Sequence, residues 1–363
     1  MKRVIISSVL FYFFLFMLPL HCQGQEPSKS APDAQVNAQA PHMDAHWAPL
    51  IDRLAKDGLD KGRMAQLFSD MDLPWSPIFM AAKIQELYGT RLGVGANVKT
   101  SPDRVLPLPP DYTPPAARGF EGAKAMLKEH APLLAEVQKR YGIPPALIAA
   151  ILLLESNMGH VLGKNLALHA LASMAATRTL EQALQGITRY TQPQPLLREE
   201  MAKSILQKSA WAYKQLSALI QYCETNGIDI LRLPSSIYGA IGLCQFMPVN
   251  ILAYGVDSDN TGSIDLFSLP DAVHSMGNFL KANGFAEKLP IKKQLEVLLR
   301  YNQSGSYAAL ALGMSYQLAG KQVPAGLGMF TASGPRKAWW PKRPPTYRLP
   351  GLGSYAISNS NYQ

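Results

Sequence analysis

Pro144-Pro145-Ala146-Leu147-Ile148-Ala149-Ala150-Ile151-Leu152-Leu153-Leu154-Glu155-Ser156-Asn157-Met158-Gly159 sets one carboxylate at the end of nine consecutive apolar residues. Proline is tolerated in the first turn of a helix, where its missing N–H would be unpaired anyway, so Pro144-Pro145 opens a helix over 146–155. That helix is apolar all round and belongs inside the molecule. Glu155 is drawn in with it. A partly desolvated glutamate has a raised pKa and can keep its proton at neutral pH, as a general acid must. A buried glutamate satisfied by hydrogen bonds at a helix end is the other reading of this segment.

Outward from this helix the chain continues in helical patterns. From Trp47 the apolar positions Leu50, Ile51, Leu54, Leu59, Met64 and Leu67 recur at helical spacing. Patterns resume at Gly119 and run over 166–187, 198–226, 269–283, 290–301 and 304–319. Strand signals are scarce, so the fold is mostly α. Six prolines within 101–115 predict a rigid extended connector. Residues 25–44 lack periodicity and read as a flexible tether. The tail 321–363 holds six further prolines and Trp339-Trp340, and reads as a strap laid over the domain or as loosely ordered chain.

Of 363 residues, 47% are hydrophobic and 17% charged, which excludes a disordered chain and leaves room for a large core. One long apolar run exists, Val4–Leu20, preceded by Lys2-Arg3 and followed by Cys22-Gln23-Gly24. This is the layout of an export signal over 1–24; a retained membrane anchor is the alternative. Lipid attachment at Cys22 is disfavoured by His21. The formal net charge of +9 suits an acidic polymer outside the cytoplasm or is ordinary solubilising charge; no Lys/Arg run exceeds two residues and nothing supports nucleic-acid binding. Cys223 and Cys244 remain once Cys22 is assigned to the signal, and in an oxidising compartment a disulfide between them is expected, with two free buried thiols as the alternative.

Two further segments carry polar chemistry. Ser236-Ile237-Tyr238-Gly239-Ala240-Ile241-Gly242-Leu243-Cys244-Gln245-Phe246-Met247-Pro248 interleaves small residues with one amide, which lets backbone approach a ligand closely. Arg300-Tyr301-Asn302-Gln303-Ser304, followed by Tyr307, joins aromatic and amide groups where two helices meet. Sugar rings need both an apolar face to stack on and hydroxyl-directed amides; for each segment a helix cap plus core packing is the plain alternative. Asp257-Ser258-Asp259-Asn260-Thr261-Gly262-Ser263-Ile264-Asp265 matches the first nine positions of an EF-hand loop, but position 12 is Ser268 rather than glutamate. A solvated Asp/Asn/Gly turn is the plain alternative. His160 and His169, nine apart, lack helix-face metal spacing, and His169 reads as packing or a structural hydrogen bond.

Taken together, Leu154-Glu155-Ser156-Asn157-Met158-Gly159, Gly163-Lys164, Leu168-His169-Ala170-Leu171-Ala172, Gly239 to Pro248 and Arg300-Tyr301-Asn302-Gln303-Ser304 resemble the lytic murein transglycosylases, in particular the membrane-bound type B, from about Trp47 to Leu318. The resemblance implies a lysozyme-like helical catalytic region over 45–320, an additional helical subdomain and a short calcium-loop-like insertion. It implies a periplasmic, monomeric enzyme acting on peptidoglycan glycan strands, with membrane association through the N-terminal segment and no cofactor in the chemistry. The bond cleaved would be the β-1,4 link between N-acetylmuramic acid and N-acetylglucosamine, leaving 1,6-anhydromuramic acid ends. Glu155 would be the acid and then the base. Ser236, Gln245 and Asn302 would hold acetamido and hydroxyl groups, with Tyr301, Tyr307 and Phe279 as stacking platforms. A structural calcium would take Asp257, Asp259, Thr261, Ser263 and, closing the longer loop, Asp271. Rival expectations are a hydrolytic muramidase of the same fold, a silent wall-binding module and a calcium-responsive adaptor.

Overall fold

The apolar run at 146–155 is the centre around which the other elements are arranged. The computed structural model describes residues 43–89, 91–93, 117–187, 189–325 and 327. Among them the chain order is α1 (Trp47–Lys56), α2 (Lys61–Met71), α3 (Ile78–Tyr88), α4 (Ala117–Glu129), α5 (Ala131–Tyr141), α6 (Pro145–Ser156), β1 (Asn165–Leu166), α7 (Ala167–Ala176), α8 (Leu180–Leu184), α9 (Pro195–Asn226), β2 (Pro234–Ser235), α10 (Pro248–Tyr254), α11 (Leu269–Ala282), α12 (Ile291–Tyr301) and α13 (Gly305–Leu318). The export segment 1–24, the tether up to residue 42, the connector 101–115 and the tail from residue 328, with Trp339-Trp340, lie outside the described residues.

Helix α6 is buried from Ala146 to Leu154 and packs against α13, α4, α5 and α11. It stops because Asn157, Met158 and Gly159 all take left-handed backbone, at φ 49°, 58° and 86°. The amides of Asn157 and Met158 turn back to the Leu153 and Leu152 carbonyls at 3.1 and 3.2 Å, so the last turn closes on itself. Glu155 is thereby fixed in the final turn.

The 166–187 stretch divides in two. Helix α7 ends where Thr177 turns to extended backbone, and α8 is capped by Thr179, whose side chain exchanges capping bonds with Gln182. Helix α7, rich in alanine and buried over most of its length, packs on the 32-residue α9. Three short elements had no distinct signal in the sequence. The strands β1 and β2 are two residues each, paired antiparallel with Asn165 opposite Ser235, and α10 follows the Gln245 turn with Pro248 in its first turn.

The expected Cys223–Cys244 disulfide is corrected: both are free, buried thiols. Cys223 sits near the end of α9 and Cys244 in the loop ahead of α10, each packed as a small hydrophobe. Burial pushes the Cys223 thiol up to about 12 and Cys244 higher still.

Candidate active site

Glu155 is half-buried, and the protein packed around it raises its pKa to about 7; a hydrogen bond from the Tyr307 hydroxyl works in the opposite direction but is the smaller effect. The same surroundings include Cys244 and Tyr301, both close enough for the Glu155 charge to act on them and both displaced upward mainly by burial. An acid from α6, a tyrosine from α13, the end of α12 and the loop ahead of α10 therefore meet at one place.

The loop is shaped largely by its own backbone. The Ser236 amide donates to the Ala240 carbonyl at 2.9 Å, while the Ser236 hydroxyl oxygen accepts from the amides of Ala240 and Tyr238 at 3.0 and 3.3 Å. Ile241 and Phe246 exchange backbone bonds at 2.9 and 3.1 Å. Between them Gly242 has φ 75° with the Leu266 backbone pressed against its α-carbon, a place no side chain fits. Gln245 takes left-handed backbone at φ 48°, and its Nε2 donates to the Gly242 carbonyl at 2.9 Å. A non-glycine residue held in that region stores strain, a feature that gathers at functional sites.

Gly163 joins this loop to the α6 end. At φ 90° it lies so close to Ser235 that an added Cβ would collide with the Ser235 carbonyl. The β1–β2 pair thus locks residues 156–166 beside the loop that begins at Ser236.

From the other side, the Tyr301 hydroxyl donates to the Cys244 carbonyl at 2.7 Å. Asn302 follows as the half-buried cap of α12. The Ser304 hydroxyl oxygen accepts from the Tyr307 amide at 3.2 Å and starts α13. The stacking role expected of three rings needs correction for two. Phe279 and Tyr307 are each 3% exposed. Phe279 is instead a packing ring, with Tyr254 at 4.9 Å and Tyr301 at 5.1 Å between centroids. The Tyr307 hydroxyl lies beside Glu155 and favours its ionised form. Tyr301 remains half-buried. Sequence reading also missed the backbone role of Cys244, because a carbonyl acceptor leaves no mark on residue type.

The calcium-like loop lies against α11. Single oxygens of Asp257, Asp259 and Asp271 fall within 4.8 Å of one another, a donor set that fits a hard cation. Asp271 also accepts from the amide and hydroxyl of Ser258, both at 2.8 Å, and from the Asp265 amide at 2.8 Å. The Asp257 carboxylate accepts from the amides of Thr261 and Gly262 at 3.1 and 2.8 Å. The Thr261 hydroxyl donates to the Ser263 carbonyl at 3.1 Å, so two of the five expected ligands bond each other. His169 is a packing residue as expected, with Nε2 2.8 Å from the Pro74 carbonyl and its ring edge-on to Phe79 at 5.2 Å. A cavity of about 280 Å³ between α1 and the α7–α8 turn is lined by His46, Arg53 and Arg178 among others and includes none of these site residues.

Residues 111–298 match the family model described as the transglycosylase SLT domain. Membrane-bound lytic murein transglycosylase B of Escherichia coli (strain K12) is 28% identical over 147 residues, 40% of this chain and 33% of that protein. The chain thus spans about a third of the length of that curated relative. Among solved structures, the Escherichia coli lytic transglycosylase Slt35 in complex with calcium has a TM-score of 0.52 at 18% identity, over 76% of this chain and 93% of that one. SltB3 of Pseudomonas aeruginosa in complex with NAG-NAM-pentapeptide has a TM-score of 0.51 at 19% identity, over 79% and 81%. At these identities the two structures establish a common fold.

Proposed function

The chain belongs to the transglycosylase SLT domain family, and from that premise we propose that it is an exported lytic transglycosylase of peptidoglycan with Glu155 as its acid and base. The observation that carries this reading is the carboxyl group itself: raised to about 7 by burial, it holds its proton on about half the molecules at neutral pH, in the place where three sequence motifs converge.

The residues support the following steps. Protonated Glu155 gives its proton to the bridging oxygen as the bond from muramic acid C1 to that oxygen breaks, which releases the N-acetylglucosamine 4-hydroxyl. The carboxylate left behind then takes the proton of the muramic acid C6 hydroxyl while its oxygen bonds to C1. The proton is returned to Glu155, no water is consumed and the product is a 1,6-anhydro sugar. The Tyr307 hydroxyl donates to the ionised form between the two halves. Ser236, Gln245 and Asn302 orient the sugar through its acetamido and hydroxyl groups, and Tyr301 offers the half-buried ring. A two-carboxylate glycosidase would place a second acid about 5–9 Å away, and none of the three site motifs supplies one beyond Glu155.

Calcium belongs to this reading as a structural ion. Asp257, Asp259 and Asp271 would hold it; it would supply charge neutralisation to the loop ahead of α11 and takes no part in proton transfer. The N-terminal segment suggests export to the periplasm, with membrane association if it is retained; among the described residues no helix is long and apolar enough to cross a membrane.

The test is to incubate residues 25–363 with sacculi and weigh the soluble muropeptides. Products lighter by one water than reducing-end muropeptides are expected. Reducing ends alone would make the protein a muramidase, and binding without release would make it a wall-binding module.

A further inference from the structure

Helix α3 lies far from Glu155 in sequence, yet it reaches the loop that carries Ser236 and Gln245. The Tyr238 hydroxyl donates to Glu86 Oε2 at 2.8 Å. Lys83 Nζ donates to that same oxygen at 2.7 Å and stands 3.8 Å from the centroid of the Tyr238 ring. One ammonium thus binds a carboxylate and an aromatic face together, and both partners converge on a single loop side chain. The Lys83 side chain is only 16% exposed although it carries a charge, so it is committed to this arrangement rather than free in solvent.

The loop needs such an anchor. The half after Gly242 is tied outward, by the Leu243 amide donating to the Leu266 carbonyl at 2.8 Å and by Tyr301 on Cys244, whereas the bonds around Ser236 are internal and Tyr238 directly precedes Gly239 at φ 84°. Helix α3 is itself firmly seated: Phe79, Met80, Ala81 and Ile84 are buried, and Ala81 meets Gly186 so closely that no side chain could replace the glycine hydrogen.

We propose that Lys83 and Glu86 are positioning residues that clamp Tyr238 and thereby hold the 236–246 loop in its sugar-binding shape. The proposal rests on the transglycosylase reading for its effect on turnover, but the clamp itself does not.

Two measurements separate these. Hydrogen exchange reads the loop without any substrate. In Lys83→Met the amides of 237–243 should exchange about fivefold to tenfold faster, the scale of losing a desolvated cation–aromatic contact with its ion pair, while α7 and α9 keep their rates. Tyr238→Phe, which keeps the ring, should give a smaller change in the same peptide. In sacculus digestion, Lys83→Met should raise the half-saturating substrate concentration about fivefold with kcat changed less than about twofold, and Lys83→Arg should recover most of the loss. Unchanged exchange in 237–243 for both Lys83→Met and Tyr238→Phe overturns the clamp, as does faster exchange spread equally over α7 and α9. If the unaltered protein releases no muropeptide but the exchange change is found, the clamp stands and the transglycosylase reading falls.

Discussion

The Tyr301 hydroxyl donates to the Cys244 carbonyl at 2.7 Å, and through that bond the end of α12 holds the turn on which Gln245 sits. Tyr301→Phe keeps the ring against Phe246 and Phe279 but leaves a buried carbonyl without its partner, which costs on the order of 1–2 kcal/mol. The melting temperature should fall by a few degrees and muropeptide release by about tenfold. Release equal to that of the unaltered protein would show that the turn holds itself.

Glu155→Gln should abolish release while leaving sacculus binding intact, and it should also stabilise the protein at alkaline pH. The sign follows from proton binding. With Glu155 raised to about 7 from the usual 4.5, the folded state binds more protons than the unfolded chain between those values, so stability falls as pH rises from about 4.5 through 7. The full shift is worth on the order of 3 kcal/mol. Calorimetry should find the Gln variant several degrees higher-melting at pH 8 and equal to the parent at pH 4. A difference independent of pH would contradict the raised pKa.

Release should decline as pH rises through about 7, because the first step needs the protonated acid. Tyr307→Phe removes the hydrogen bond that favours the ionised form, so the Glu155 pKa climbs and the alkaline limb of the pH–rate profile moves to higher pH. A limb that stays in place would detach Tyr307 from Glu155.

Gly163→Ala should be among the most damaging single-methyl changes in the chain. It combines φ 90° with a collision against the Ser235 carbonyl, and the β1–β2 pair must open to accept it. A loss of more than about 2 kcal/mol is expected in urea titration, and a change below about 0.5 kcal/mol would show that the pair moves freely.

Millimolar calcium should raise the melting temperature, by an amount corresponding to about 2.7 kcal/mol at a hundredfold excess over its dissociation constant. Asp259→Asn should remove most of that shift. A response to calcium that survives this substitution would place the ion elsewhere.

How far the site could be read in the sequence depends on the range of the interactions involved. Glu155 was legible because nine neighbouring residues bury it, and the α12–α13 junction because Ser304 and Tyr301 mark helix ends locally. The 2.7 Å bond to the Cys244 carbonyl and the Lys83–Tyr238 contact join residues far apart in the chain through atoms or faces that carry no local pattern. Aromatic type suggested stacking for Phe279 and Tyr307, but burial decides which way a ring is used, and both are inside. Pairing of Cys223 with Cys244 followed from compartment and number alone, and neither says how the two thiols face.

The left-handed turn at Asn157–Gly159 has a last consequence. By ending α6 one residue beyond Glu155, it sets the acid at the negative pole of that helix's macrodipole, where an ionised carboxylate is disfavoured. The direction of the main chain therefore contributes to proton retention, and redesign of the side chains around position 155 alone cannot remove that contribution.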